Sequence, residues 1–259
     1  MDKAYWNRIG QSYNRQIFHA MEWDRTGLLA RLIRRQAGRQ ANRDSTAVDF
    51  GCGTGQFLNL LSSSFGRVLA VDHSPELLVQ AAARHQQRQN IEFYCCDLVL
   101  NRFKIARPDF ALCVNVVIME DYTARRRILT SIGQAQKKGG ALLLVVPSLE
   151  SVFLTQQRLM EWNLRDGLAP RRAAAHRIPG LKKKALARLH EGIVPIDGVP
   201  TKHYLREELY LLLARHGYAV ESISKVEYDW DSEFAAPPGW MQAPYPWDWV
   251  VEAKKSGPG

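Results

Sequence analysis

The fold of this 259-residue chain is decided by the stretch Thr46-Ala47-Val48-Asp49-Phe50-Gly51-Cys52-Gly53-Thr54-Gly55. Its first half is an apolar run of strand type that carries an acid, and its second half has glycine at three alternate positions. A second apolar stretch with helical spacing follows at 57–61. The pattern predicts a strand, a tight glycine turn and a helix start, which together present backbone N–H groups to a ligand. Glycine is needed here because a Cβ would block both the turn and the close approach.

The spacing of the glycines separates two kinds of nucleotide-binding loop. A dinucleotide-binding loop has the pattern G-x-G-x-x-G, whereas here Asp49 is followed by glycines at 51, 53 and 55. This arrangement resembles motif I of the class I S-adenosylmethionine (SAM)-dependent methyltransferases, in particular those of the small-molecule type. The resemblance implies SAM as cofactor and S-adenosylhomocysteine (SAH) as product. It also implies that the methionine end of SAM contacts Asp49, Gly51, Cys52, Gly53 and Gly55.

Three further strand ends follow in the order expected of that family. A second apolar run ends at Asp72, 21 residues after Gly51, where an acid can accept hydrogen bonds from both ribose hydroxyls. The third run ends beside Asp97, which the family places near the adenine amino group, and the fourth lines the SAM pocket. By resemblance, the cofactor-binding positions on these three segments are Asp72, His73, Cys96, Asp97, Leu98, Asn115 and Val116.

Strands alternating with helices predict an α/β fold with a parallel sheet. The resemblance sharpens this to a Rossmann-like class I methyltransferase fold. That fold has a mostly parallel seven-stranded sheet with an antiparallel last strand, an N-terminal helical lid and an inserted cap between strands 5 and 6. The predicted divisions are 1–45 for the lid, 46–150 for the SAM-binding core, 151–203 for the substrate cap, 204–255 for completion of the core and 256–259 for a tail.

Composition limits the function classes. No apolar run is long enough to cross a bilayer, the N-terminus lacks a signal core, and the four cysteines suit neither a disulfide framework nor a zinc site. We therefore expect a cytoplasmic protein without a metal. The net charge of +9 raises the question of an anionic partner, and residues 171–190 contain seven Lys or Arg and no acid.

Methyl transfer depends mainly on positioning, and it needs a general base only if the acceptor still holds its proton. The catalytic candidates are His203 and Tyr204, before the last predicted helix, and Glu120, after the fourth strand. A structural histidine and a solvated helix start are the alternative interpretations. The substrate-binding candidates are Tyr13, His19, Met119, Trp162 and Trp240, of which the two tryptophans could instead fill the core.

The acceptor itself is predicted to be a small molecule, anionic or aromatic, methylated on oxygen, nitrogen or sulfur. The fourth strand continues Asn115-Val116-Val117-Ile118, not the Asn-Pro-Pro-Tyr type that cradles a base amine, and no Pro-Cys pair supplies a nucleophile for pyrimidine methylation. Two alternatives stay open. One is an RNA or protein methyltransferase that uses the basic segment 171–190, and the other is a SAM-binding protein without transferase activity.

Overall fold

The computed structural model describes residues 20–39, 45–100, 103, 107–175, 185–196 and 198–257. Residues 1–19 of the predicted lid lie outside the described residues, and so do the candidates Tyr13 and His19. The same holds for the lysines at 182–184 in the basic segment. Within the described ranges the helices are α1 (Ala20–Trp23), α2 (Leu28–Arg39), α3 (Leu58–Ser64), α4 (Pro75–Arg84), α5 (Tyr122–Ala135), α6 (Leu149–Arg165), α7 (Pro170–Ala175) and α8 (Arg206–Arg215), with 3₁₀ turns at Ala185–Glu191 and Trp230–Ser232.

Seven strands form the central sheet. They are β1 (Thr46–Phe50), β2 (Arg67–Asp72), β3 (Ile91–Cys95), β4 (Phe110–Val114), β5 (Ala141–Pro147), β8 (Tyr218–Glu227) and β9 (Trp247–Lys255). Their order across the sheet is β3-β2-β1-β4-β5-β9-β8. The first five are mutually parallel, and β9 is antiparallel to both of its neighbours. The predicted fold class, including the antiparallel last strand, is confirmed.

Helices cover both faces of this sheet. One apolar cluster joins it to α5 and α8 through residues such as Leu129 and Leu209, and a second joins it to α2, α3 and α4 through residues such as Ile33 and Leu61. Every residue of β5 is buried, as expected of a central strand in a three-layer fold.

The strand directions bring a set of polar residues to one edge of the sheet. The parallel strands β1, β2, β4 and β5 all end at this edge, where a ligand binds in open α/β sheets. Because β9 runs the opposite way, it begins at the same edge, and Asp248 pairs in register with Pro147. The ends of β1 and β2 and the start of β9 therefore open onto one crevice.

A β-hairpin lies in the segment predicted to be a cap. Strands β6 (Ile193–Ile196) and β7 (Val199–Lys202) pair in antiparallel fashion, and Gly198 has a positive φ of 80° beside the turn. The Lys202 backbone N–H donates to the Ile118 carbonyl at 2.7 Å, and the Tyr204 N–H donates to the Pro147 carbonyl at 2.8 Å. These bonds fix the end of β7 to the chain that follows β4, and the residues just after β7 to the last residue of β5. In the part of the chain that the structure describes, no helix is both long and apolar enough to span a membrane.

Candidate active site

A cavity of about 1020 Å³ opens at this edge of the sheet. Its walls come from the ends of β1, β2 and β4, from the start of β9, from α6 and from the β6–β7 hairpin. Of the predicted cofactor-binding residues, those on the described cavity wall are Asp49, Gly51, Cys52, Asp72, His73, Cys96, Asp97, Leu98, Asn115 and Val116. Side chains predicted from separate segments of the sequence are thus brought together.

The glycine loop has the backbone geometry that the spacing predicts. Gly51, Gly53 and Gly55 all have positive φ angles, of 75°, 53° and 86°. A Cβ on Gly51 would lie 2.3 Å from Cγ2 of Val116, so the position has no room for a side chain. Gly53 and Gly55 do not themselves line the cavity and contribute through the shape of the loop.

Asp72 is held in place by this loop and by the next helix. Its Oδ2 accepts a hydrogen bond from the Gly53 N–H and its Oδ1 accepts one from the Ser74 N–H, both at 2.9 Å. Burial raises the pKa of Asp72, and the two backbone hydrogen bonds oppose that rise. The carboxylate is therefore oriented in advance, with its remaining lone pairs available on the cavity side.

Asp49 lies beside Asp72 but lacks the backbone hydrogen bonds that hold Asp72. It is only 2% exposed, and its Oδ2 has no hydrogen-bond partner among the described residues. Burial, followed by the charge of Asp72, raises the pKa of Asp49 to about 8. Such a carboxyl group is satisfied only by a proton or by a cation placed in the cavity.

The end of the cavity beside β3 is shaped by Asp97. Its Oδ1 accepts hydrogen bonds from the Val99 N–H at 2.8 Å and from the Leu100 N–H at 3.3 Å. The side chain thus closes its own turn and holds Leu98 against the cavity. His73 lies nearby, with its Nδ1 3.5 Å from Asp72 Oδ1.

The opposite end of the cavity carries two acids that the sequence analysis missed. Asp248 accepts a hydrogen bond from the Tyr228 hydroxyl at 2.8 Å, and burial raises its pKa to about 6 against the lowering effect of Tyr228 and Asn115. Glu233 is exposed by surface area and forms part of the cavity wall. The protein packed around its carboxyl group, followed by the charge of Asp248, raises its pKa to about 7. An acid between two tryptophans at the start of an antiparallel strand was the signal for Asp248, whereas Glu233 has no local signal.

Three of the predicted acceptor-side residues line the cavity, namely Met119, Glu120 and His203. The His203 ring is 5% exposed and its Nδ1–H donates to the Thr201 carbonyl at 3.1 Å, which leaves Nε2 as an acceptor. Burial lowers the pKa of His203 to about 4, so the ring is neutral at physiological pH. Glu120 is ion-paired with Arg188.

The other three described candidates lie away from the cavity wall. Tyr204 is 1% exposed, and its hydroxyl donates to the Val117 carbonyl at 2.5 Å, inside the core beneath the hairpin. Trp162 packs edge-on against Phe234, with ring centroids 5.8 Å apart. Trp240 stacks under the Arg165 guanidinium at 3.9 Å. Both tryptophans belong to an aromatic cluster between α6 and the 228–246 connection, in which the part of the connection that carries Trp240 packs against α6.

Comparison with known proteins agrees with this geometry. Residues 47–140 match a family model described as a methyltransferase domain. A malonyl-[acyl-carrier protein] O-methyltransferase from Paenibacillus sp. (strain JDR-2) is 25% identical over 148 residues, which are 56% of this chain and 54% of that protein. The chain therefore matches about half the length of this curated relative.

Similar solved structures extend the likeness to nearly the whole chain. The magnesium protoporphyrin IX methyltransferase of Synechocystis PCC 6803, crystallised with SAH, has a TM-score of 0.59 at 14% identity, with 98% of this chain and 97% of that one covered. The N-methyltransferase NodS of Bradyrhizobium japonicum WM9, also in complex with SAH, has a TM-score of 0.58 at 12% identity, covering 99% of this chain and 100% of that one. Residues 47–140 therefore match a methyltransferase domain, and the fold around them is the one seen in these SAM-dependent methyltransferases.

Proposed function

We propose that this protein transfers a methyl group from SAM to a small-molecule acceptor bound in the same cavity. The observation that carries the proposal is the pair of buried carboxylates, Asp49 and Asp72, at either side of a left-handed glycine loop on the sheet edge. A strand–glycine loop–strand edge of this kind is where α/β folds bind nucleotides. The structures similar to this chain include several that hold SAM or SAH.

The residues present fit the groups that SAM carries. The unpartnered Asp49 Oδ2 suits the ammonium of the methionine end, because a buried carboxylate requires a counter-ion. Asp72 is fixed by two backbone N–H groups and can accept hydrogen bonds from the ribose hydroxyls. The cavity of about 1020 Å³ is at the upper end of ordinary ligand sites, which leaves space for an acceptor beside the cofactor.

When bound, SAM supplies a methyl group on a positively charged sulfur. The protein then has to hold the acceptor in line with that methyl group and keep water away. We propose that the β6–β7 hairpin does this as part of a substrate cap, since Val194, Val199 and Thr201 form part of the cavity wall. His203 serves as a hydrogen-bond acceptor, and its low pKa makes it a weak base.

An acceptor held through phosphate is less compatible with the site. The cavity wall, as far as the structure describes it, includes no Lys or Arg. The described parts of the basic segment, 171–175 and 185–190, contribute no residue to this wall.

Calorimetry with SAM and SAH tests the cofactor assignment. Replacing Asp72 by Ala removes the acceptor for the ribose hydroxyls, and we expect SAH affinity to fall about 10- to 100-fold, as for a lost charged hydrogen bond. The matched control is Asp231→Ala, which changes an exposed carboxylate outside the cavity. Unchanged SAH affinity in Asp72→Ala would refute the assignment.

The transferase activity has a separate test. The protein is incubated with methyl-labelled SAM and a metabolite extract, and both SAH and labelled products are measured by mass spectrometry. We expect SAH to accumulate together with a labelled small molecule. Binding of SAM without any formation of SAH would identify a non-catalytic SAM-binding protein instead.

A further inference from the structure

The charge of the cavity is opposite to that of the protein. The chain carries a net charge of +9, yet the charged side chains on the described cavity wall are acids, with two histidines. These acids are Asp49, Asp72, Asp97, Glu120, Asp121, Glu233 and Asp248. Such a lining attracts cations and repels anions, which is the reverse of what the overall composition suggests.

The acids fall into groups with different explanations. Asp49 and Asp72 suit the cofactor, Asp97 closes a turn, Asp121 caps α5, and Glu120 is paired with Arg188. Glu233 and Asp248 remain. Within the described residues neither forms an ion pair, and the groups that act on their pKa values include no cation. Asp248 is only 9% exposed, and a buried carboxylate without a counter-ion is costly unless a ligand provides one. The exposed Glu233 adds a second carboxylate beside it.

Unpartnered polar atoms on the same wall are a second, independent indication of a ligand. The indole Nε1 of Trp247, a residue only 7% exposed, has no hydrogen-bond partner among the described residues. The same is true of Asn115 Oδ1 and Ser232 Oγ. Buried polar groups normally have hydrogen-bond partners, so a ligand that supplies partners for these three atoms would stabilise the wall.

Asn115 connects this wall with the proposed cofactor half of the cavity. Asn115, at the end of β4, lies between the two pairs of acids, because β4 lies beside β1 and the side chain of Asn115 also hydrogen-bonds Asp248. The cofactor pair and the unexplained pair therefore occupy the two halves of one crevice.

We propose that the methyl acceptor is an amine, bound through its nitrogen by Glu233 and Asp248. This inference rests on the proposed function and specifies its acceptor. Asn115 Oδ1 offers a further acceptor for the amine N–H groups, and Trp247 Nε1 donates to an oxygen or nitrogen elsewhere in the same molecule. Apolar neighbours on the wall, including Val152 and Ile118, suit a hydrocarbon or aromatic body.

The chemistry balances with the residues present. An amine arrives as its ammonium, loses one proton to the Glu233–Asp248 pair and so exposes its lone pair. The nitrogen then forms a bond to the methyl carbon as the carbon–sulfur bond breaks with its electrons remaining on sulfur. The products are the N-methylated compound, SAH and one proton, which passes from the carboxylates to solvent. An alcohol would need a stronger base, whereas His203 is a weak one.

The atom that is methylated decides between amines and other acceptors. With trideuteromethyl-SAM and a metabolite extract, tandem mass spectrometry locates the label in each product. We expect the label on nitrogen. A label on oxygen, sulfur or carbon would overturn the amine inference and leave methyl transfer intact, whereas no SAH formation would overturn the proposed function itself.

Variants then test the two carboxylates with the amine that the extract reveals. We expect Glu233→Gln and Asp248→Asn to raise the KM for that amine about 10- to 100-fold, because each loses a charged hydrogen bond. In Glu233→Gln the SAH affinity should stay within about twofold, because this change leaves the proposed cofactor half of the cavity untouched. Asp248→Asn is not used for this comparison, because Asp248 is hydrogen-bonded to Asn115, a proposed cofactor-binding residue. Asp231→Asn, two residues from Glu233 and exposed, is the matched control and should change neither value. An unchanged KM in Glu233→Gln, which is accessible from the cavity and should fold normally, would remove the assignment.

Discussion

Asp49→Asn tests the electrostatics of the cofactor half of the site. The substitution keeps the shape of the side chain and removes its ability to ionise. Asp49 is buried, its Oδ2 is unpartnered and Asp72 is a close negative neighbour, so the empty protein disfavours its charged form. We expect the variant to be more stable than the wild type without ligand, and to bind SAM more weakly because the counter-ion of the ammonium is gone.

The size of the stability effect follows from the pKa. Folding raises the pKa of Asp49 from 3.8 to about 8, so the folded wild type holds a proton that the unfolded chain has released. Below pH 3.8 Asp49 is protonated in both states, and its ionisation takes nothing from the free energy of unfolding. Between pH 3.8 and about 8 only the unfolded chain releases the proton, so the free energy of unfolding falls as the pH rises. At about 1.4 kcal/mol per pH unit, the whole window amounts to at most about 6 kcal/mol.

Urea unfolding of both proteins without ligand measures this difference. The free energy of unfolding of Asp49→Asn minus that of the wild type should grow by about 3 kcal/mol between about pH 5 and about pH 7. Saturating SAM should flatten the wild-type dependence, because a bound ammonium stabilises the ionised carboxylate. A difference that does not change with pH in the empty proteins would mean that Asp49 titrates normally, and would refute the reasoning.

Three further predictions concern individual residues. Gly51→Ala should lower the free energy of unfolding by about 3 kcal/mol, through a strained positive φ and a clash with Val116, and adding Val116→Ala should restore only part of that loss in urea titrations. Tyr204→Phe should cost about 1–3 kcal/mol of stability by leaving the Val117 carbonyl unpaired, with kcat unchanged; a fall in kcat at unchanged stability would make Tyr204 catalytic after all. The His203 ring, with its pKa lowered to about 4, should show no NMR titration between about pH 5.5 and about pH 8, and its contribution to stability should be lost as the pH falls from 6.5 toward 4; a midpoint near 6.5 would contradict its burial.

The grouping of the proposed cofactor-binding residues on one cavity wall could be predicted because its determinants are local. The glycine spacing fixes the left-handed loop within a few residues, and Asp49, Asp72 and Asn115 each stand at or near the end of an apolar strand. Once the strands are taken as parallel, these ends must share one edge. Sequence order is therefore enough to assemble them.

The acceptor half depends on tertiary contacts that have no local signal. Glu233 reaches the cavity only through the path of the connection between β8 and β9, and Trp240, in the same connection, is directed onto α6 instead. Tyr204, a candidate chosen next to His203, lies in the core, and its neighbours in the sequence do not reveal this. The β6–β7 hairpin did have a local signal, since glycine at 198 separates two short β-type runs, but the prolines at 195 and 200 obscured it.

The reversed direction of β9 determines which part of the cavity wall can change in length or sequence without disturbing the sheet. The connection at 228–246 leaves one edge strand at the crevice and returns to its neighbour at the same end, so both of its anchors are fixed by the sheet. Insertions or exchanges there would rebuild the part of the cavity wall that contains Ser232 and Glu233 without altering the glycine loop at the end of β1. If the proposed acceptor site is right, exchanging this connection with that of a relative should change the acceptor preference and leave SAM binding unchanged.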